Sequence, residues 1–217
     1  EFKIEDYYSN AFKKINVRLK NEIVNSGIND CNILEKKGVY IEPSDFKKIL
    51  KDLPDDVTIL DVRSNYEHNI GKFKNALTLD IENFRDFPTK ISEVKNKISK
   101  KNKIITYCTG GVKCEKASAF LRKNGYENVY QLHGGIIKYG IEENGKDFHG
   151  KCYVFDNRIV KDVNKVNPEV IGRCYVTGEK TDRMVNCANV ECNKHFPLSE
   201  DGAKKYNGCC SKECMNS

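Results

Sequence analysis

The sequence predicts an α/β fold, a parallel sheet with helices on both faces, followed by a small Cys-rich C-terminal module. Short apolar, β-branched runs alternate with segments of helical periodicity between Gly38 and about Gly145. One of those runs, residues 103–107, delivers the chain straight into a cysteine followed by two glycines. Six of the ten cysteines (Cys174, Cys187, Cys192, Cys209, Cys210 and Cys214) fall within the last 44 residues. Secreted disulfide domains spread their cysteines through the fold, whereas metal ligands cluster. A tail of clustered thiols points to a metal and to a reducing intracellular compartment such as the cytoplasm.

The elements follow in order. Residues 12–20 alternate apolar and basic side chains, as a half-exposed strand does, until Asn25-Ser26-Gly27 breaks the pattern. Residues 1–38 are too short for a domain and lack a starting Met, so they are expected to be the remnant of an N-terminal domain and its linker. Residues 39–145 form the α/β domain. Strands are expected at 39–41, 57–62, 76–79, 103–107 and 128–132, and helices from Pro43 to Leu50, 91–98, 115–123 and after Gly135. Ser44 or a neighbour is available to cap the first helix, and Asn124-Gly125 ends the third. Residues 146–172 read as a connector, with one strand at 153–155, and 173–217 as the Cys-rich tail.

Composition narrows the function classes. Of 217 residues 39% are hydrophobic, enough for a core, and no run of about 18 apolar residues spans a membrane. The formal net charge of +6 hides an asymmetry, because residues 90–123 hold ten Lys or Arg against two Glu, a net +8. Solvated helix faces are the ordinary meaning of such a run, and an anionic substrate is the sharper one.

The strongest site is Cys108-Thr109-Gly110-Gly111-Val112-Lys113-Cys114. It lies where a strand ends and a helix begins, at the sheet edge where α/β folds place ligands. Gly110 and Gly111 let successive N–H groups converge, and the helix N-terminus with Lys113 favours a thiolate at Cys108. A nucleophilic Cys108 is therefore favoured over a buried, inert one. Cys114 has two readings, a resolving thiol for an oxidised or persulfidated Cys108 or a packing residue, and packing is favoured. A Cys-x5-Arg phosphatase loop is excluded, because the sixth residue after Cys108 is Cys114, which lacks the guanidinium fork. Asp61 is expected to anchor its loop by accepting backbone N–H bonds, with Arg63 paired to Glu67. His68 and His133 have no pattern that makes either a base.

Asp61-Val62-Arg63, Glu67 and the run from Gly71 to Ala76 resemble the entry signature of the rhodanese domain. Cys108 to Lys113 resembles its active loop, and Leu132-His133-Gly134-Gly135-Ile136 its closing turn. The run Cys108 to Ser118, Phe84-Arg85-Asp86-Phe87-Pro88 and residues 12–24 are similar to the narrower rhodanese-containing tRNA uridine hydroxylases and their relatives with a Cys-rich tail. That resemblance implies a rhodanese-like parallel sheet, oxygen-dependent hydroxylation of the tRNA wobble uridine to 5-hydroxyuridine, and chemistry at Cys108. It also gives the basic run around Cys108 an RNA partner. A persulfide-forming sulfurtransferase needs the same loop, and a non-catalytic RNA-binding scaffold is the third reading.

Zinc wants four thiol or imidazole ligands delivered in pairs. Cys187-x4-Cys192 and Cys209-Cys210-x3-Cys214 supply them, with Cys174 and His195 as further candidates. Relatives carry two more Cys-x-x-Cys pairs, whereas here Thr177, Ser199 and Gly202 stand at those spacings. Two four-cysteine sites are therefore excluded. One zinc site and a metal-free tail both stay open.

Overall fold

The structure is a computed structural model that describes residues 4, 8, 10–14, 16–20, 22–28 and 35–217. The chain runs β1 (Val39–Ile41), α1 (Pro43–Asp52), β2 (Val57–Asp61), α2 (Asn65–His68), β3 (Gly71–Phe73), β4 (Leu77–Thr78), α3 (Phe87–Glu93) and β5 (Lys103–Tyr107). It continues through α4 (Val112–Lys123), β6 (Val129–Leu132), α5 (Gly135–Glu143), β7 (Phe148–Gly150), β8 (Cys152–Tyr153) and β9 (Val160–Lys161). The tail holds β10 (Met184–Asn186), β11 (His195–Pro197), α6 (Glu200–Lys205) and α7 (Lys212–Asn216).

Five strands form one sheet in the order β1-β6-β5-β2-β4, with every neighbouring pair parallel. Because successive strand residues face opposite ways, Ile104 and Ile105 of β5 serve two different cores. Ile104 packs with Leu60, Phe87, Ile91, Ala117 and Leu121 beneath α3 and α4. Ile105 packs with Phe46, Phe73, Ile136, Tyr139 and Phe148 beneath α1 and α5. Helices thus cover both faces, as the alternation of elements requires.

Several local expectations are corrected. Residues 12–14 and 16–20 carry no strand, and Val17 and Leu19 are fully exposed, since alternation without a partner strand leaves the backbone to water. Helix α1 is capped at Glu42 without a side-chain hydrogen bond, its start being set by Pro43 in the first turn. Pro88 likewise starts α3 at Phe87, and a 3₁₀ turn at Lys95–Lys97 replaces the second half of the helix expected at 91–98. Residues 146–172 contain three short strands: β7 pairs with β3, and β8 pairs with β9.

Candidate active site and a four-cysteine cluster

Strand β5 ends at Tyr107, and the next five residues curl into α4. Gly111 at φ +97 is the helix N-cap, so α4 begins at Val112, three residues before the expected start. The Cys108 sulfur is buried and accepts the Gly111 N–H at 3.1 Å. A hydrogen bond from the Cys114 thiol is the largest influence on it and outweighs burial. The Lys113 charge and the N–H groups of Gly111 and Cys114 add to this and bring its pKa down to about 6. Cys114 is itself buried, and that burial holds its own thiol protonated. The Cys114 side chain is thus the hydrogen-bond donor to the neighbouring thiolate.

The loop is held from both sides. The N–H groups of Ile136 and Ile137, at the start of α5, donate to the carbonyls of Cys108 and Thr109 at 3.0 and 3.1 Å. Gly135, at φ +66, leaves room for this approach. A Cβ there would stand 2.5 Å from the Cys108 carbonyl oxygen and 2.7 Å from that of Thr109. On the other side, Lys113 Nζ lies 2.5 Å from Glu67 Oε2, and the same carboxylate accepts the Ser64 N–H at 3.1 Å. Ser64 and Glu67 form a capping box around α2. Glu67 therefore belongs to Lys113, which corrects its expected pairing with Arg63. Arg63 instead meets Asp61, with Nε 2.9 Å from Oδ1 and Nη2 2.7 Å from Oδ2, and Asp61 also accepts the Arg63 N–H at 3.0 Å.

His133 contacts Glu42 at 2.7 Å and, with Gly110, Gly111, Tyr40 and Lys138, lines a groove of about 380 Å³ beside the loop. His68 is buried, which lowers its pKa, and it contacts the Leu79 carbonyl. The basic run does not surround Cys108. Lys95, Lys97, Lys100, Lys101 and Lys103 precede or open β5, at the edge of the sheet opposite its Cys108 end. Arg122 and Lys123 end α4, whose 12 residues put its far end roughly 18 Å from the loop. Counting charge along the chain missed the direction in which β5 and α4 run.

In the tail, the ligand atoms of Cys187, Cys192, Cys210 and Cys214 all lie within 4.8 Å of one another, a set that could hold a metal ion. Cys187 and Cys192 border the turn between β10 and β11, and Cys210 and Cys214 flank the start of α7. Cys209 and Cys174 lie outside the set. Cys174 shares a second cluster with Thr177, Ser199 and Gly202: its sulfur accepts the Thr177 N–H at 3.4 Å, and a Cβ on Gly202 would meet it at 2.6 Å. Burial raises the Cys174 pKa, but hydrogen bonds from Ser199 and Thr177 bring it down to about 6. His195 joins neither group, and packs instead against the rings of Tyr66 and Tyr153. That aromatic cluster escaped sequence reasoning because its members come from α2, β8 and β11. The Glu67 contact had one local signal, the Ser-x-x-Glu spacing.

Sheet, cysteine loop and closing turn together define a rhodanese-like domain, whose family model matches residues 42–142, and a rhodanase C-terminal model matches 149–215. A tRNA uridine(34) hydroxylase of Cytophaga hutchinsonii is 58% identical over 214 residues, which cover 99% of this chain and 67% of the relative. One from Staphylococcus haemolyticus is 48% identical, covering 98% of this chain and 67% of the relative. The solved rhodanese-like domain of an Anabaena protein is 25% identical with a TM-score of 0.42, over 51% of this chain and 78% of that one. The chain belongs to the tRNA uridine(34) hydroxylase family, and it spans about two thirds of the length of these relatives.

Proposed function

We propose that this chain hydroxylates uridine 34 of tRNA to 5-hydroxyuridine, with Cys108 as the reacting thiolate. The observation that supports this is the loop itself, a buried thiol held near pKa 6 inside a chain 58% identical to a tRNA uridine(34) hydroxylase. Molecular oxygen is the co-substrate: one atom replaces the hydrogen on C5 of the base, and the other leaves as water with two electrons from a reductant. In this reading Cys108 supplies the nucleophile. Thr109, Gly110, Gly111 and Val112 shape the cradle, Lys113 and Cys114 keep the sulfur ionised, and Asp61 with Arg63 fixes the adjoining loop. Residues 39–145 carry the chemistry, and 146–172 join the core to the tail at 173–217. Zinc is the proposed ion for Cys187, Cys192, Cys210 and Cys214, because four thiolates in close approach suit its tetrahedral preference. A reducing compartment suits both the free thiolate and the four thiols. Among the described residues no helix is long and apolar enough to cross a membrane.

The test is mass spectrometry of tRNA nucleosides from cells lacking the protein, rescued with the wild type or with Cys108→Ser. Loss of 5-hydroxyuridine-type nucleosides, restored by the wild type alone, is the expected result. An unchanged profile together with thiosulfate turnover by the purified protein replaces this reading with a sulfurtransferase.

A further inference from the structure

The turn between β8 and β9 holds an aromatic ring in solvent at the rim of the cysteine loop. Phe155 is 57% exposed, whereas Phe46, Phe73, Phe87 and Phe148 are fully buried. The turn that carries it is held by its own hydrogen bonds. Asp156 accepts from the Arg158 guanidinium at 2.9 and 2.6 Å and from the Arg158 N–H at 3.0 Å. The Val154 N–H donates to the Ile159 carbonyl at 2.8 Å. Ile159 itself adopts φ +62, a conformation that a β-branched residue keeps only where its surroundings impose it.

The exposed ring is tied to the reactive loop at two points. Lys113 Nζ stands 5.3 Å from the Phe155 ring centroid, and the Tyr153 ring packs edge-on against it at 5.1 Å. The Tyr153 carbonyl in turn accepts the Thr109 hydroxyl at 3.4 Å, and Tyr66 and His195 buttress the Tyr153 ring. Thr109 and Lys113 bracket the loop that starts at Cys108, so Phe155 stands at the border of the site. A half-exposed ring at the mouth of the site offers what an unpaired base needs, a π face to stack on, while the Lys113 ammonium beside it is already paired with Glu67. The same turn donates the Asn157 N–H to the Ala11 carbonyl at 2.9 Å, which ties it to the N-terminal segment as well.

We propose that Phe155 is the stacking platform for an unpaired nucleobase of the anticodon loop at the mouth of the Cys108 site. The proposal rests on the hydroxylase reading for the identity of the RNA. The chain contains no tryptophan, so Phe155→Trp places a lone fluorescent reporter at the position. Titration with an anticodon stem-loop hairpin is expected to quench its emission saturably. Phe155→Ala is expected to weaken hairpin binding, read by anisotropy of labelled RNA, by roughly 5- to 150-fold, the equivalent of losing one base–aromatic stack. KM should rise in the same variant with kcat nearly unchanged, Phe155→Trp should restore both, and matching thermal unfolding curves show that each variant is folded. No hairpin binding by the wild type, binding without quenching, or wild-type affinity in Phe155→Ala overturns the proposal. Quenching by a hairpin whose uridine is never hydroxylated retains the platform and removes the hydroxylase reading; hydroxylation with unchanged KM in Phe155→Ala does the reverse.

Discussion

The guanidinium of Arg63 closes on the carboxylate of Asp61 with both side chains wholly shielded from water. Tyr107 donates its hydroxyl to the same carboxylate at 2.6 Å, and the Gly71 carbonyl takes a further Arg63 N–H at 2.7 Å. The turn after β2 is thereby bound to β5 and β3 at once. Removing one member strands a buried charge, so Arg63→Met should lower unfolding stability by about 3–5 kcal/mol. The double variant Asp61→Leu, Arg63→Met should recover much of that loss. Urea denaturation of the three proteins checks this, and a single variant as stable as the wild type refutes it.

Cys108 reactivity should titrate near pH 6. Its pKa lies below the ordinary 9.0, so the thiolate predominates above about 6. Alkylation by iodoacetamide should fall by half near that pH and level off about one unit higher. The sign for stability follows from the same shift: the thiolate's contribution is complete above about pH 9 and is lost as pH falls through about 6. Since the Cys114 thiol is the main donor, Cys114→Ala should move the alkylation midpoint upward, whereas Cys114→Ser, which keeps an O–H donor, should move it less. An identical midpoint in Cys114→Ala would show that the loop N–H groups suffice.

Gly135 permits the contact between α5 and the loop. Gly135→Ala adds a methyl group 2.5 Å from the Cys108 carbonyl oxygen at φ +66. The backbone strain alone costs of order 1–3 kcal/mol, and the loop must also shift. Activity should fall by at least tenfold, and Cys108 alkylation at pH 7 should slow as the sulfur loses its donors. Kinetics and alkylation of the purified variant measure both, and unchanged values in each would mean that the loop tolerates displacement.

The parts of this molecule that were legible in its sequence are the local ones. Strand β5 runs directly into Cys108, and Gly110 and Gly111 announce the turn, so the reactive loop needed no long-range information. Alternation at residues 12–20 misled because a strand requires a partner that pattern cannot supply. The basic run misled because a count along the chain ignores that β5 leads away from Lys103 toward Cys108. Lys113 and Glu67 are 46 residues apart, and Phe155 reaches Lys113 from within the connector. Such pairs become visible only when α2, the loop and the β8–β9 turn are brought together.

The tail separates its cysteines into four that converge and two that do not, which makes metal binding selective by residue. Cys187→Ser removes one of the four clustered thiols and should abolish high-affinity zinc. Cys174→Ser and Cys209→Ser should leave it in place, because neither sulfur belongs to the cluster. Metal analysis of the purified protein should accordingly give one zinc per chain, with Co(II) substitution producing thiolate charge-transfer bands that Cys187→Ser lacks. The apolar support beneath the cluster is small, chiefly Phe196 and Leu198 with partly buried Val185 and Tyr206. A metal ion bound to the four thiols would supply much of the folding free energy there. A strong chelator should expose residues 173–217 to limited proteolysis while 39–145 stays resistant. Equal zinc content in Cys187→Ser and Cys174→Ser would show that the metal is held elsewhere.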